Sequence, residues 1–159
     1  MKNNYIKSIS KSFLLCAFLL ASVFTFGQDI KYTFANAQNT NDGTNDFFEV
    51  DILIESTSDF KLGSGLLYFN YNTAAFGTNV SASNKLEYTQ PSDYILGEVY
   101  SFPGYKDFVQ NDNTSSRVAV SYQQGVSSGT ITANNVTSSP KKLFHLKIEY
   151  LSVNELPTI

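Results

Sequence analysis

Four groups of residues have types and spacings that could do chemistry. Gly125-Val126-Ser127-Ser128-Gly129 has the G-x-S-x-G spacing that holds a nucleophilic serine on a strained turn between a strand and a helix. Here Thr130-Ile131-Thr132 and a Ser/Asn-rich run follow, so nothing predicts the helix. The order serine, acid, histidine also fails, because Glu149 and Glu155, the acids after Ser127, both lie beyond His145. Glycine and serine populate turns readily, and a hairpin turn is expected. His145 is the single histidine, so no paired-imidazole metal site can be built, and a surface or edge histidine is expected. Asp42, Gly43, Asp46 and Glu49 fit the later positions of a calcium loop, with Gly43 at the sharp turn. Gln38 and Thr40 would occupy its first ligand positions and lack the charge, which favours an ordinary Asn/Asp/Gly loop. A calcium site built otherwise from Asp42, Asp46 and another loop is the alternative. Glu49, Asp51 and Glu55 share one face of one strand, whereas glycoside hydrolysis needs two carboxylates facing each other across about 5 to 10 Å. They point the same way and read as a solvated face. No residue is therefore assigned to catalysis, to a cofactor or to a metal, and the chain is not expected to be an enzyme.

The remaining chemistry is aromatic. Tyr88, Tyr94, Tyr100, Phe102, Tyr105 and Phe108 crowd an irregular stretch interrupted by Gly97, Pro103 and Gly104. Exposed, they could stack on sugar rings or sit in a protein interface; buried, they fill the core beneath a long loop.

The elements that must position these residues are strands. Between Phe47 and Tyr71, Phe48, Val50, Ile52 and Ile54 alternate with Glu49, Asp51 and Glu55, which predicts a half-buried strand. After breakers at Ser56–Asp59 and Gly63–Gly65, Leu67, Phe69 and Tyr71 alternate with Leu66, Tyr68 and Asn70. Both faces are apolar, which predicts a central strand covered on both sides. Ile30, Tyr32 and Phe34 mark a first strand, and Asn36 to Asp46 reads as a loop. Asn72 to Gly77 predicts a tight exit with Phe76 tucked under a sheet edge, and Lys85 to Thr89 a short strand. Asn111 to Ser116 reads as a turn. Arg117 to Gln123 points Val118, Val120 and Tyr122 inward, and Lys142 to Leu151 does the same with Phe144, Leu146, Ile148 and Tyr150. No apolar stripe of helical period runs for three turns after the N-terminal segment. About seven short strands with Gly, Asn and Ser turns predict an all-β antiparallel two-sheet sandwich. The chain stops at Pro157-Thr158-Ile159 directly after a strong strand, so the domain is expected to be C-terminally truncated, lacking its last strand or strands.

Compartment follows from the N-terminus. Lys2, Lys7 and Lys11 precede an apolar run from Phe13 to Phe24 and then Thr25-Phe26-Gly27-Gln28, the pattern of a secretory signal peptide over residues 1–27. The run is short of the roughly 20 residues a membrane span needs. Cys16 lies inside that run and follows Leu15, where a lipobox would place a small residue. The mature chain, residues 28–159, is then a single domain without cysteine, and its core alone must hold it. Eight Lys and Arg face fourteen Asp and Glu from Gln28 onward, a net charge of −6, and no basic patch occurs. Nucleic acid and anionic membrane are poor partners for such a surface.

Phe48-Glu49-Val50-Asp51-Ile52, then Gly65-Leu66-Leu67-Tyr68-Phe69-Asn70-Tyr71-Asn72, and last Leu143-Phe144-His145-Leu146-Lys147-Ile148 resemble the strand sequence of cohesin-like and carbohydrate-binding-module-like sandwiches. Tyr71-Asn72 takes the place of a Tyr-Asp that ends the second strand there, without the proline that would follow it. With the signal peptide and an acidic Asn/Ser/Thr-rich surface, the chain also resembles N-terminal modules of secreted Bacteroidetes surface proteins. The resemblance implies a cohesin-like or Ig-like jelly-roll sandwich and a secreted or cell-surface location. The function expected is an exported, non-catalytic module for binding or surface display, with a protein or glycan partner. An accessory domain of a secreted polysaccharide-degrading enzyme is the alternative, and a calcium-stabilised spacer a third.

Overall fold

The computed structural model describes residues 29–97, 104–125 and 133–159, the side chains of 106–109 excepted. The signal segment, Tyr100, Phe102, the Phe108 side chain and the 126–132 part of the G-x-S-x-G region lie outside the described residues. Seven strands are described: β1 (Ile30–Asn41), β2 (Asp46–Ser56), β3 (Gly65–Asn70), β4 (Leu86–Thr89), β5 (Tyr105–Thr114), β6 (Arg117–Gln124) and β7 (Lys141–Glu149). They form two antiparallel sheets, ordered β1-β2-β7-β4 and β3-β6-β5. This is the all-β two-sheet arrangement that the alternation predicts.

The core lies between the sheets and is supplied by alternate residues. Val50, Ile52 and Ile54 of β2 and Phe144, Leu146 and Ile148 of β7 face Phe69, Val118, Val120 and Tyr122 of the smaller sheet, all buried. Phe69 meets Phe144 edge to face at 6.0 Å and Phe34 of β1 at the same distance, so β3 crosses above β2. At Gly65, where β3 begins, an added Cβ would run into the Tyr122 ring, so only glycine admits this approach. After β3 the backbone turns through one helical turn, α1 (Thr73–Phe76), capped by the Asn72 side chain, which accepts from Ala74 N at 3.0 Å. Phe76 is fully buried against Tyr150, Tyr71 and Phe48, as the tucked exit predicts.

Three expectations are corrected. The stretch Asn36 to Asp46 is not one loop: β1 continues to Asn41 through a bulge between Ala35 and Gln38, and only a short hairpin turn remains. Its residues are polar on both faces, yet their backbone is paired with β2, which side-chain alternation cannot reveal. Likewise β5 runs on to Thr114 through the predicted turn at Asn111. Among the described strands the one at Gly65 is not central but an edge, paired with β6 alone, and its second apolar face, Leu66 and Tyr68, is exposed. By contrast β7 has neighbours on both sides, β2 and β4.

Candidate functional site

Two features stand apart from ordinary packing. The first is polar. Asp51 and His145 face each other directly across the β2–β7 ladder, on the side of the sheet away from the core. A carboxylate there should be wet, yet Asp51 is only 4% exposed. The 3-10 turn Ile95–Gly97 packs over β7 and brings Tyr94 down onto it. Tyr94 Oη donates to Asp51 Oδ1 at 2.6 Å, and Asn36 Nδ2 donates to Oδ2 at 2.7 Å. His145 Nδ1 stands 2.7 Å from Oδ1, and Lys142 Nζ stands 3.7 Å from Oδ2 and 4.8 Å from the centre of the Tyr94 ring. The bulge in β1 has a purpose here: Asn36 sits in the left-handed region at φ 53°, which aims its amide at Asp51.

The electrostatics follow from this ring of donors. Burial pushes the Asp51 carboxyl up, but the hydrogen bonds from Tyr94, Asn36 and His145 and the Lys142 charge outweigh it and hold the group below the ordinary aspartate value. Glu49 is also held low, chiefly by Thr40, whose hydroxyl donates to Oε1 at 2.6 Å, against a smaller burial effect. Burial and the Asp51 charge push the Tyr94 hydroxyl far above its usual range, so it remains a donor. His145 Nε2 is 3.3 Å from Glu49 Oε2, so both ring nitrogens face carboxylates. With both nitrogens so engaged, the arrangement ties four segments of chain together.

The solvated acidic face and the edge histidine are thus both corrected: Asp51 is buried, and His145 sits on an interior strand with 19% of its side chain exposed. What brings them together is the register of two strands far apart in sequence, with a lid from a third segment. The calcium geometry is not assembled. Asp42 accepts from Thr44 N and Asn45 N, each at 2.8 Å, Asp46 accepts from Asn41, and Glu49 turns to Thr40 and His145. Among the described residues no group of three or more His, Cys, Asp or Glu is placed to hold a metal ion.

The second feature is apolar. Of the aromatic cluster, Tyr94 and Tyr105 are buried and Tyr88 packs on Phe144 at 4.7 Å, which is the core-filler outcome. Tyr105 Oη donates to Leu62 O at 2.6 Å and accepts from the buried Asn135 amide at 2.9 Å, a node that anchors two loops. The exposed aromatics among the described residues lie elsewhere. Among the described residues the larger sheet has four strands against three, so no described strand lies above β1, and its core-side residues Ile30, Tyr32 and Phe34 remain 44%, 41% and 46% exposed. Around the adjacent free edge of β3, Leu66 and Tyr68 are 49% and 50% exposed, with the Arg117 guanidinium 5.2 Å from the Tyr68 ring centre. Five half-exposed large apolar side chains thus surround one unpaired strand edge. Sequence alternation marks these residues as facing a core; it cannot show that no described strand covers them. Among the described residues no helix is long and apolar enough to cross a membrane. Compared with protein-family models, with curated proteins and with solved structures, the chain matches none.

Proposed function

We propose that the protein is an exported, non-catalytic β-sandwich module that binds a partner through the open edge between β1 and β3, as an adhesion or assembly component would. The observation that carries this reading is the row of half-exposed Ile30, Tyr32, Phe34, Leu66 and Tyr68 beside a strand edge with no neighbour. Apolar residues clustered at such an edge are an aggregation hazard unless a partner covers them. The non-catalytic part rests on the polar cluster, whose histidine is held by carboxylates at both nitrogens and whose donors are all turned onto Asp51. The cohesin-like resemblance of β2, β3 and β7 and the signal-peptide pattern support display outside the cell.

The experiment is attachment of the labelled protein to envelope material of the producing cells, compared with the double variant Leu66→Ser/Tyr68→Ser. Both side chains are half exposed, so the variant should keep the fold; hot-spot aromatics removed from an interface should cost about tenfold or more in affinity. Unchanged attachment would reject the edge as the binding surface. A glycan partner predicts that soluble polysaccharide competes through Tyr68, and a protein partner predicts that protease treatment of the envelope abolishes attachment.

A further inference from the structure

Resting on that reading, we propose that the open edge receives one extended β-strand from another polypeptide, pairing antiparallel with β3 and laying alternate apolar side chains on Ile30, Tyr32 and Phe34. An exposed apolar face alone would accept many shapes. Here the face adjoins an edge of unpaired backbone N–H and C=O groups, which only an extended backbone can satisfy in register. The place is one strand wide. Phe69 of β3 touches Phe34 of β1 on one side and Phe144 of β7 on the other, so β3 stands over β2 and the empty position stands over β1. Neighbouring strands lie about 4.8 Å apart, so a strand set beside β3 covers the β1 row. Every pairing among the described strands is antiparallel, and the proposed strand continues that pattern.

A second copy does not fit this place. If two copies joined through their β3 edges, each copy's β1 would have to occupy the space of the other's β2, because the larger sheet extends one strand further. A stable face-to-face dimer also buries about 800 Å² and 20 to 30 residues on each side, whereas the apolar footprint here is five large side chains around a six-residue strand. Charge defines the ligand further. The row Ile30, Tyr32 and Phe34 carries no charge: the Arg117 guanidinium lies with Tyr68 on the outer face of the smaller sheet, and the Lys31 Nζ to Glu55 pair, 2.7 Å, lies on the other face of the larger sheet. The strand received is therefore uncharged and apolar on its inward side, with polar residues between.

The probe is a capped peptide alternating Val and Thr over seven residues, added free at millimolar concentration, and the same sequence joined to Ile159 by a Gly/Ser linker. Ile159 lies beside Asn70, Tyr71 and Asn72 at the end of β3, and Thr158 O accepts from Asn72 N at 2.9 Å, so a short linker reaches the edge. Tethering supplies an effective concentration of about millimolar. Amide hydrogen exchange is read along β3 and β6, with binding of an apolar dye alongside. The expected result is at least about tenfold slower exchange at alternate β3 amides, loss of dye binding, and neither effect when alternate Val residues of the probe are replaced by Pro. Unchanged β3 exchange with both probes overturns the proposal. If Tyr32→Ser and Tyr68→Ser still abolish dye binding in that case, the binding edge stands and only the strand is rejected. If they do not, both readings fall. Protection of β3 that appears without probe and rises with protein concentration would assign the edge to a second copy instead.

Discussion

The inner half of the larger sheet and its outer margin are built from the same kind of sequence and end in opposite states. In β2 and β7, Ile52, Ile54, Phe144 and Leu146 alternate with polar residues and are sealed, while on the reverse face even a carboxylate is enclosed and given four partners. In β1, Ile30, Tyr32 and Phe34 alternate just as well and remain half in water. The difference lies not in the strands but in what crosses above them: β3 and β6 cover one region, the segment around Tyr94 covers its back, and nothing among the described residues covers the other. Alternation specifies a face; burial is conferred by the neighbour.

Truncation should expose this contrast most sharply. Phe144→Ala, in the closed region, should cost about 3 to 5 kcal/mol, because a fully buried ring leaves a cavity between two sheets, whereas Phe34→Ala should cost under about 1 kcal/mol. Denaturant melts of the pair would show it, and equal losses would mean that β1 is as enclosed as β7. Next in size is Asp51→Ala, which leaves Tyr94, Asn36, His145 and Lys142 without their shared acceptor and should cost about 2 to 3 kcal/mol. Asp51→Asn keeps the shape and part of the bonding, so its loss should be smaller.

Acid should act on the same cluster and leave the open edge alone. Asp51 and Glu49 are held below their ordinary values, so the stability they add is present above the usual carboxylate range, about pH 4, and is lost as pH falls through their lowered folded-state values. Melting temperature against pH should bend downward on the acid side, and Asp51→Asn should flatten that bend. A bend of unchanged depth in this variant would place the acid sensitivity elsewhere. The smallest effect concerns the bulge. Asn36 is left-handed at φ 53°, so Asn36→Gly relieves the backbone while losing one bond to Asp51, and Asn36→Ala loses the bond and keeps the strain. The alanine variant should be the weaker of the two by about 1 kcal/mol.

Strand existence was legible where one face is apolar and the other polar: β2, β6 and β7 carry Val50, Val118, Val120, Tyr122, Phe144 and Ile148 inward as their period of two requires. The far half of β1 was not, because Gln38 and Thr40 are polar and their place in a strand is fixed by backbone pairing and by bonds to Glu49. Leu66 and Tyr68 misled in the other direction, since an apolar second face marks a central strand and an uncovered edge alike. The cluster at Asp51 was out of reach because Tyr94, Asn36 and His145 come from three separate places in the chain, and only the β2–β7 register and the lid bring them within 3 Å.

The central claim, that β3 is an open edge in the protein as it stands, is tested most directly by residue-resolved amide exchange over Gly65–Asn70 in dilute solution. Alternate amides of β3, those facing away from β6, should exchange about as fast as loop amides, while those turned to β6 and the amides of β7 should be protected to nearly the global unfolding free energy. Uniform protection along β3 would contradict the account, because it would mean that the edge is already covered.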